Sequence, residues 1–276
     1  MNFSVNTNLA SVNAQSVLTS TGWHLEKTLA RLTSGLRINS AQDDAAGLAV
    51  ANRHKLDNSG LQVGIRAAND AISRLQIEDG AAGNISQLLD RALTLAAQAA
   101  SDTFLGSRAT LDEEFQTVLS EITRTASAAA LNTGSTNLNS RNVFVGNTQT
   151  NTGASVTYVS FALTTAVDAQ GLGISAQNIT SSTSANTAVT SIQNAIATLG
   201  TVQGRIGSAM NRLQFAINQA QTMSVSVQAA ESRIRDANMA EEASNLTKYN
   251  ILNQSGLAAL AQANNMSAAV LGLLNG

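Results

Sequence analysis

Proline is absent from this chain of 276 residues. At average usage of about 5%, on the order of ten or more prolines would be expected. Proline removes a backbone hydrogen bond and clashes with the preceding turn, so it limits helix length more than any other residue. Its absence leaves the chain free to form very long helices. The spacing of the apolar residues indicates whether such helices form.

Apolar side chains recur at intervals of three and four residues towards both ends of the chain. This spacing is typical of helices that pack along one stripe. The members are Leu18, Leu25, Leu29, Leu32 and Leu36; Leu61, Ile65, Ala68, Ile72, Leu75, Ile85, Leu89, Ala92 and Ala99; Leu111, Phe115, Val118, Ile122, Thr125 and Ala129; and Ile192, Ile196, Leu199, Ile206, Met210, Leu213, Ile217 and Ala220. A compact bundle of amphipathic helices has the same spacing, but the length of the last run favours a rod.

The middle of the chain has a different composition. Between Leu131 and Gly204 the only charged residues are Arg141 and Asp168, and Asn, Thr, Ser and Gly are abundant. The segment SVTYVSFAL, residues 155–163, alternates apolar and polar side chains, which predicts a β-hairpin. The expected fold is therefore mainly α: a long antiparallel coiled-coil-like helical rod formed by both chain ends, with a small central β-hairpin region.

A short polar stretch joins the first two predicted helices. Gly35 and Asn39 suit the end of the first helix. Ser40 and Asp43 have the spacing of a capping box, which predicts that the second helix starts there. Asp43 and Asp44 then fall in its first turn, where the helix dipole favours negative charge. A helix start accounts for both aspartates without catalysis, so we interpret the stretch as a joint.

The sequence offers few groups for chemistry. It contains no cysteine and two histidines, His24 and His54, which are too far apart for a metal site without many carboxylates. Residues 171–176 match a loose G-x-G-x-x-A pattern, but no acidic residue follows at the distance that a nucleotide fold requires. We interpret these glycines as a turn, and we expect no enzyme activity, no metal and no cofactor.

The charge of the chain and its first residues argue against several classes of partner and against one route of secretion. Charged residues make up 12% of the chain and the net charge is −2, with no run of Lys and Arg. A nucleic-acid binder or a membrane-surface protein normally presents a basic face. The first residues, MNFSVNTNLASVNAQSVL, do not have the pattern of a secretory leader. We therefore expect no nucleic acid, no membrane and no conventional secretion route.

The two ends of the chain resemble bacterial flagellin. The N-terminal segments are NTNLASVNAQ, RLTSGLRINSAQDDAAGLAVANR and RAANDAISRLQIEDGA. The C-terminal one is VQAAESRIRDANMAEEASNLTKYNILNQSGLAALAQANNMSAAVLGLL. The resemblance covers residues 1–130 and 188–276, and residues 143–174 resemble the hairpin on the family's rod domain. Little sequence remains for large outer domains, so the chain is similar to a short form.

The resemblance implies a division of the chain. Residues 1–45 and 237–276 would form an inner helical pair that lines the filament channel. Residues 46–130 and 188–236 would form the outer rod helices, with residues 131–187 as its polar hairpin region. The joint at Ser40, Asp43 and Asp44 would connect the two parts, with a counterpart near residues 236–240.

The resemblance also implies the partners and the location. The chain would self-assemble into the extracellular flagellar filament for swimming motility. It would meet the filament cap and the hook–filament junction proteins. It would leave the cell through the flagellum's own secretion channel, with an export chaperone on its C-terminal segment. Ser and Thr in the central region make O-glycosylation a further expectation, although a solvated loop would have the same composition.

Terminal helices with one apolar stripe are marginal in water, so they need partners to cover that stripe. Two helices can cover each other only in part, and neighbouring copies would have to cover the rest. Unlike patches that meet between copies do not close, and they grow into a helical polymer. We expect the self-assembly seam to contain Leu18, Leu25, Leu29, Leu32, Leu36, Leu246, Leu257 and Leu260.

The family resemblance implies one further binding site. A Toll-like receptor of animal hosts reads the family's rod helices through an Arg, a Leu four residues later and a downstream Glu. These fall at Arg91, Leu95 and Glu114 in this sequence, with Leu93 and Thr94 in place of charged residues. The alternative is that Leu95 packs in the rod and Arg91 belongs to a solvated face.

Two other functions remain open from the sequence. A hook–filament junction protein has similar ends, and another secreted coiled-coil assembly protein could share the helical pattern. The RINSAQDDAAGLA block together with the full rod helices favours the filament subunit.

Overall fold

A computed structural model describes residues 8–135, 138, 140–150 and 153–274, with side chains described except at 147–150, 153–155 and 267–274. The elements are α1 Leu9–Ser34, α2 Ala45–Ala100, α3 Arg108–Ala128, β1 Arg141–Thr150, β2 Gly153–Phe161, α4 Ser182–Arg235 and α5 Met239–Leu274. The predicted fold class is confirmed, because long helices dominate and the two central strands pair antiparallel.

Packing divides the chain into two compact units. The first contains residues 1–56 and 226–276, and the second contains residues 57–225. The sequence placed this division near residues 45 and 237, where the helices break. The compact units have other boundaries, since the first turns of α2 and the last turns of α4 belong to the first unit, and the division near residues 45 and 237 stays a prediction.

The first unit pairs helices from the two ends of the chain. Asn8 donates to the carbonyl of Ala263, and Arg31 contacts Glu242, so α1 and α5 are antiparallel. Asn8 also caps the start of α1 with its side chain. The helix ends at Gly35, whose φ of 69° lies in the left-handed region that glycine adopts at little cost.

The second unit packs α2, α3 and α4 on a common core. Its buried helical residues follow the predicted three-four spacing: Leu61, Ala68, Leu75, Ala82, Ile85, Leu89, Ala92, Leu95, Ala96 and Ala99 in α2; Phe115, Leu119, Ile122 and Ala126 in α3; Ala185, Ala188, Ile192, Ala195, Leu199, Val202, Ile206, Ala209, Leu213, Ile217 and Ala220 in α4. Because these side chains are mostly aliphatic, burying them contributes roughly 1 to 3 kcal/mol each before entropy is counted.

The β-hairpin packs closely on α2. Its strands pair from Arg141 opposite Phe161, with an irregularity between Phe144 and Gly146. At Gly64 of α2, an added Cβ atom would lie 2.0 Å from the carbonyl oxygen of Val145. Only glycine therefore allows the strand backbone to come this close to the helix. The hairpin that the sequence predicted is confirmed.

The segment after the hairpin turns around a buried carboxylate. Asp168 is 5% exposed and accepts hydrogen bonds from the Thr133 hydroxyl at 2.9 Å and from the Gly171 amide at 2.9 Å. Gly173 has a φ of 72°, which again suits glycine. The glycines of the loose nucleotide pattern therefore form a turn, as the sequence analysis predicted.

Candidate assembly surface

Small and polar residues fill much of the contact between α1 and α5. Buried or half-buried residues recur along both helices at alternating spacings of three and four: in α1 they are Ser11, Ala14, Leu18, Thr21, Leu25, Thr28 and Leu32, and in α5 they are Glu242, Leu246, Tyr249, Asn253, Gly256, Leu260 and Ala263. Three of these residues are buried, and all three are polar: Thr21 at 7%, Thr28 at 5% and Glu242 at 7% exposure. We call this set the pair seam. The pair seam therefore combines half-buried leucines with buried polar side chains.

Large apolar side chains lie outside the pair seam. They are between 44% and 71% exposed, and they are Leu9, Val12, Val17, Trp23, Leu29, Ile251, Leu252, Leu257 and Met266. We call this set the outer apolar faces. Exposed apolar side chains on a pair of helices are candidates for an interaction surface.

The eight residues that the sequence assigned to self-assembly fall into three groups. Five of them, Leu18, Leu25, Leu32, Leu246 and Leu260, are half-buried in the pair seam. Leu29 and Leu257 belong to the outer apolar faces, with exposures of 50% and 52%. Leu36 follows α1 and takes part in the joint. Their role in self-assembly stays a prediction, and the sequence alone did not distinguish the half-buried leucines from the exposed ones.

The joint brings together the breaks in the N-terminal and C-terminal helices. Leu36 and Asp236 form an isolated antiparallel bridge. The amide of Arg37 donates to the carbonyl of Arg235 at 2.6 Å, and the amide of Ala237 donates to the carbonyl of Gly35 at 2.9 Å. These bonds fix the two chain segments side by side, so the joint is a two-stranded connection.

The start of α2 differs from the prediction. The helix begins at Ala45, and the Asp44 side chain accepts the Gly47 amide at 2.8 Å, so Asp44 is the capping residue. Asp43 lies before the helix and accepts the amides of Asn39 and Ser40 at 3.2 Å each. The predicted cap at Ser40 is therefore wrong, because its reciprocal bonds with Asp43 close a tight turn instead of starting a helix.

Four charged groups meet at this joint. Lys27 Nζ lies 2.6 Å from Asp43 Oδ1, and Arg31 lies 4.0 Å from the same oxygen and 3.1 Å from Glu242 Oε1. The hydrogen bond from Lys27, followed by the amides of Ser40 and Asn39, lowers the pKa of Asp43 to about 2 despite its partial burial. The carboxylate therefore stays charged and ties α1 to the joint at neutral pH.

The three residues assigned to receptor recognition lie at the α2–α3 contact. Arg91 Nε donates to Glu114 Oε1 at 3.0 Å, and both side chains are about half exposed, at 53% and 45%. Leu95 is only 1% exposed and belongs to the core. Arg91 and Glu114 are therefore accessible as a pair, whereas Leu95 supports the helix beneath them.

A buried ion pair escaped the sequence analysis. Glu78 is 1% exposed within the core of the second unit, and Arg141 Nη1 at the start of β1 lies 2.8 Å from its Oε1. Glu78 occupies a core position of the α2 repeat, between Leu75 and Ala82. A charged residue at a core position needs a partner of opposite charge, so the position of Glu78 could have predicted an ion pair.

Comparisons with known proteins agree with this architecture. A family model of the bacterial flagellin N-terminal helical region matches residues 5–148, and one of the C-terminal helical region matches residues 185–274. The chain belongs to the bacterial flagellin family. Flagellins are structural proteins, so the chain is a structural subunit of the flagellar filament and is not an enzyme.

Individual flagellins match to different extents. Flagellin of Halalkalibacterium halodurans is 35% identical over 98% of this chain and 99% of its own length. Flagellin A of Vibrio cholerae is 42% identical over 46% of this chain, which corresponds to 34% of that relative. A crystal structure of Bacillus cereus flagellin is 26% identical, covers 56% of this chain and 88% of that one, and has a TM-score of 0.46. These relatives do not favour the hook–filament junction protein or another secreted assembly protein.

Within the described parts of the chain, two other classes of site are absent. No described helix is long and apolar enough to cross a membrane. The described residues also contain no cluster of three or more His, Cys, Asp or Glu residues that could hold a metal ion.

Proposed function

We propose that copies of this flagellin join through the outer apolar faces of α1 and α5. The observation that carries the proposal is the division of side chains in the first unit. The pair seam buries threonines and a glutamate, whereas Trp23, Ile251 and Leu257 are each more than half exposed. A helix pair that folded only for itself would place these side chains in its seam.

Covering the outer apolar faces would supply a driving force for assembly. Burial of an aliphatic or aromatic side chain contributes roughly 1.5 to 3 kcal/mol. The nine side chains of the outer apolar faces are about half exposed. Covering what remains exposed would contribute on the order of 10 kcal/mol per subunit before the entropy of association. The faces on α1 and α5 differ, so their contacts are heterologous and build an open polymer.

We further propose that the ends of the free chain open readily and become ordered on assembly. The pair seam supports this, because Gly256 and Asn253 contribute little apolar burial to it. Trypsin should cut free chains after Lys27 and Lys248 at least as fast as after Arg91, and polymerisation should protect both lysines. Equal resistance of the two lysines in free and polymerised chains would contradict this.

The decisive experiment is electron microscopy of the purified protein after salting-out. The full chain should form long filaments, and chains without residues 1–40 or 237–276 should form none. A sharper variant is Leu257→Ser, which removes one outward side chain and should block or slow polymerisation while leaving monomer helicity unchanged. Asn250→Ser, on the same helix at an exposed position, is the matched control. Normal filaments from the trimmed chains would refute the proposal.

The same surface supports proposals on export. The filament of the relatives is extracellular, and we propose that this chain is exported to the same location, where it also contacts the filament cap and hook–filament junction proteins.

Before assembly, Ile251, Leu252 and Leu257 of α5 need cover, because they are 44% to 58% exposed. An export chaperone that binds this segment would supply it. Calorimetry with the chaperone should show binding to the full chain and none to a chain ending at residue 236.

We also propose that a host Toll-like receptor contacts Arg91 and Glu114 as a pair. Their exposure supports this role, and because Leu95 is buried, we propose that it only positions the helix beneath them. In a reporter-cell assay with soluble monomer, Arg91→Ala and Glu114→Ala should each reduce the response. The exposed pair of Glu121 and Arg124 provides the control, and Glu121→Ala should leave the response unchanged. No response to the unsubstituted monomer would remove the proposal.

A further inference from the structure

An open groove lies beside α4, at the end of β2. Its volume is about 310 Å³, which falls at the lower end of the range of roughly 300 to 1,000 Å³ for small-molecule sites. Phe161 and Ala209 line it and are largely buried, at 8% and 2% exposure. Arg205, Ser208 and Arg212 also line it and are exposed. The groove therefore combines an apolar surface with two guanidinium groups and a hydroxyl.

The two arginines are the only charged residues in a long stretch of the chain. Between Asp168 and Glu231 the sequence contains no other charged residue than Arg205 and Arg212. The ion pairs found among the described residues include neither of them. Because α4 supplies no carboxylate before Glu231 to balance these charges, the groove attracts anions.

Arg205 is held in position by the segment that follows β2. Its Nη1 donates to the carbonyl of Leu163 at 3.3 Å and to the hydroxyl of Thr164. Thr164 has a φ of 48°, which few residues other than glycine adopt, and its amide donates to the carbonyl of Leu138 at 3.0 Å. Such backbone strain persists where neighbouring bonds enforce it, and it is common at binding sites. Because Arg205 is ordered before a ligand arrives, binding costs less.

The spacing of the polar groups suits a tetrahedral oxyanion. Arg205 and Arg212 are two helical turns apart, about 10 Å along one face of α4, and Ser208 lies between them. At Gly204 an added Cβ atom would meet nothing within 4 Å, so the space beside Arg205 is open. Guanidinium groups bind phosphate-like oxyanions through paired N–H groups. Two guanidiniums and a hydroxyl need more acceptor oxygens than the two of a carboxylate, which favours a phosphate or a sulfate.

We propose that this groove binds the phosphate or sulfate group of a small ligand. Arg205 and Arg212 contact the oxyanion, and Ser208 donates its hydroxyl hydrogen to it. The ion alone fills only part of the groove, and Phe161 offers an apolar surface to an attached organic group. The proposal does not depend on the filament contacts proposed above, because the groove belongs to residues 57–225 and binding needs only one chain.

Protection of single arginines from phenylglyoxal tests the site on free chains, whose monomeric state is checked by sedimentation. Phenylglyoxal modifies accessible guanidinium groups, and mass spectrometry measures the rate at each arginine. At about ten times its Kd, phenyl phosphate or phenyl sulfate should slow the modification of Arg205 and Arg212 about tenfold. Arg66 is the internal control, because it is exposed in the same unit and does not line the groove. Phenol, which lacks the oxyanion, should protect neither arginine.

Inorganic phosphate and inorganic sulfate separate the two sources of such an oxyanion. Equal protection by the inorganic ions and by the phenyl esters supports the site and assigns it to the free ion. Stronger protection by the esters supports the site and shows that the organic group contributes to binding.

Substitutions should identify the groups that hold the oxyanion. Arg212→Met should raise the Kd, read from the protection of Arg205, roughly tenfold, because it removes a charge-assisted contact. Ser208→Ala should raise the Kd about two- to tenfold by loss of one hydrogen bond. Arg66→Met is the matched control and should leave the Kd unchanged. All three positions are exposed, so circular dichroism should show the helicity of the parent.

Three results would overturn the proposal. The first is the absence of protection at Arg205 and Arg212, and the second is equal protection of Arg66. The third is protection of Arg205 and Arg212 by polymerisation without any phosphate or sulfate, because it would assign the groove to a contact between copies. None of these results bears on the filaments formed by full and trimmed chains, so the proposed function is tested separately.

Discussion

Replacing Arg141 and replacing Glu78, the two partners of the buried ion pair, should destabilise the fold by different amounts. Glu78 is 1% exposed, so its carboxylate depends on its partners for charge compensation. Arg141 lies at 2.8 Å from Glu78 Oε1, and the nearest atom of Arg74 lies at 3.9 Å from the same oxygen. Replacing Arg141 by Met should leave the carboxylate buried beside a single, more distant cation. Replacing Glu78 by Leu should destabilise the fold less, because Arg141 is 17% exposed and can turn to solvent.

The magnitude follows from the cost of an uncompensated buried charge. Removing one partner of a buried pair typically costs 3 to 5 kcal/mol. Arg74 remains nearby, so we expect Arg141→Met to lie at the lower end, at about 3 kcal/mol. Glu78→Leu should cost about 1 kcal/mol, because it replaces a carboxylate with a side chain suited to the core. The double variant Glu78→Leu with Arg141→Met should approach the parent, because apolar replacement of both partners is often nearly neutral.

These differences in stability can be measured at the hairpin itself. The assay is hydrogen exchange of the monomer, read by mass spectrometry on peptides from residues 141–161. A cost of about 3 kcal/mol should accelerate exchange of the hairpin amides roughly a hundredfold. Arg124→Met is the control, because its partner Glu121 is exposed and such pairs contribute little. Equal effects of Arg141→Met and Glu78→Leu, or a double variant worse than both, would refute the reasoning.

Four further predictions concern the joint and two glycines. The folded chain lowers the pKa of Asp43 from 3.8 to about 2, so this carboxylate stabilises the fold above pH 4, and that contribution disappears as the pH falls towards 2. Thermal melts should therefore show Asp43→Asn as less stable than the parent at neutral pH, with the gap closing between pH 4 and 2. Gly64→Ala should destabilise the chain by about 1 to 3 kcal/mol in chemical unfolding, because the added carbon meets the strand backbone. Gly200→Ala, in an open helix position, should stabilise it by about 0.5 to 1 kcal/mol. Asp44→Ala should cost about 1 kcal/mol by loss of the helix cap, and Ser40→Ala clearly less.

The repeat of apolar residues predicted the helices and the core of the second unit well, because periodic burial is a local property of sequence. Ile192, Leu199, Ile206 and Leu213 are all buried as expected. The strand SVTYVSFAL was also recognisable from its alternation, although β2 ends at Phe161. Leu163 instead leaves the strand and enters the core, with an exposure of 1%.

Contacts between distant segments were beyond the sequence. The spacing of Ser40 and Asp43 matches a capping box, yet the helix starts at Ala45 because Asp44 caps it. In α1 the leucines suggested the seam, but Thr21 and Thr28 are the buried residues. Hydrophobicity identifies which residues avoid water, whereas the facing helix decides which of them are covered within one chain.

The threonines of the pair seam have a consequence for the cell that makes this protein. A free subunit carries exposed leucines and a tryptophan, so its tendency to associate rises with its concentration. If the subunit is exported as proposed above, its synthesis has to keep pace with its removal, or subunits will associate before they leave the cell. On the same proposal, a seam whose buried residues are polar would let each arriving subunit adapt its ends to the site that receives it.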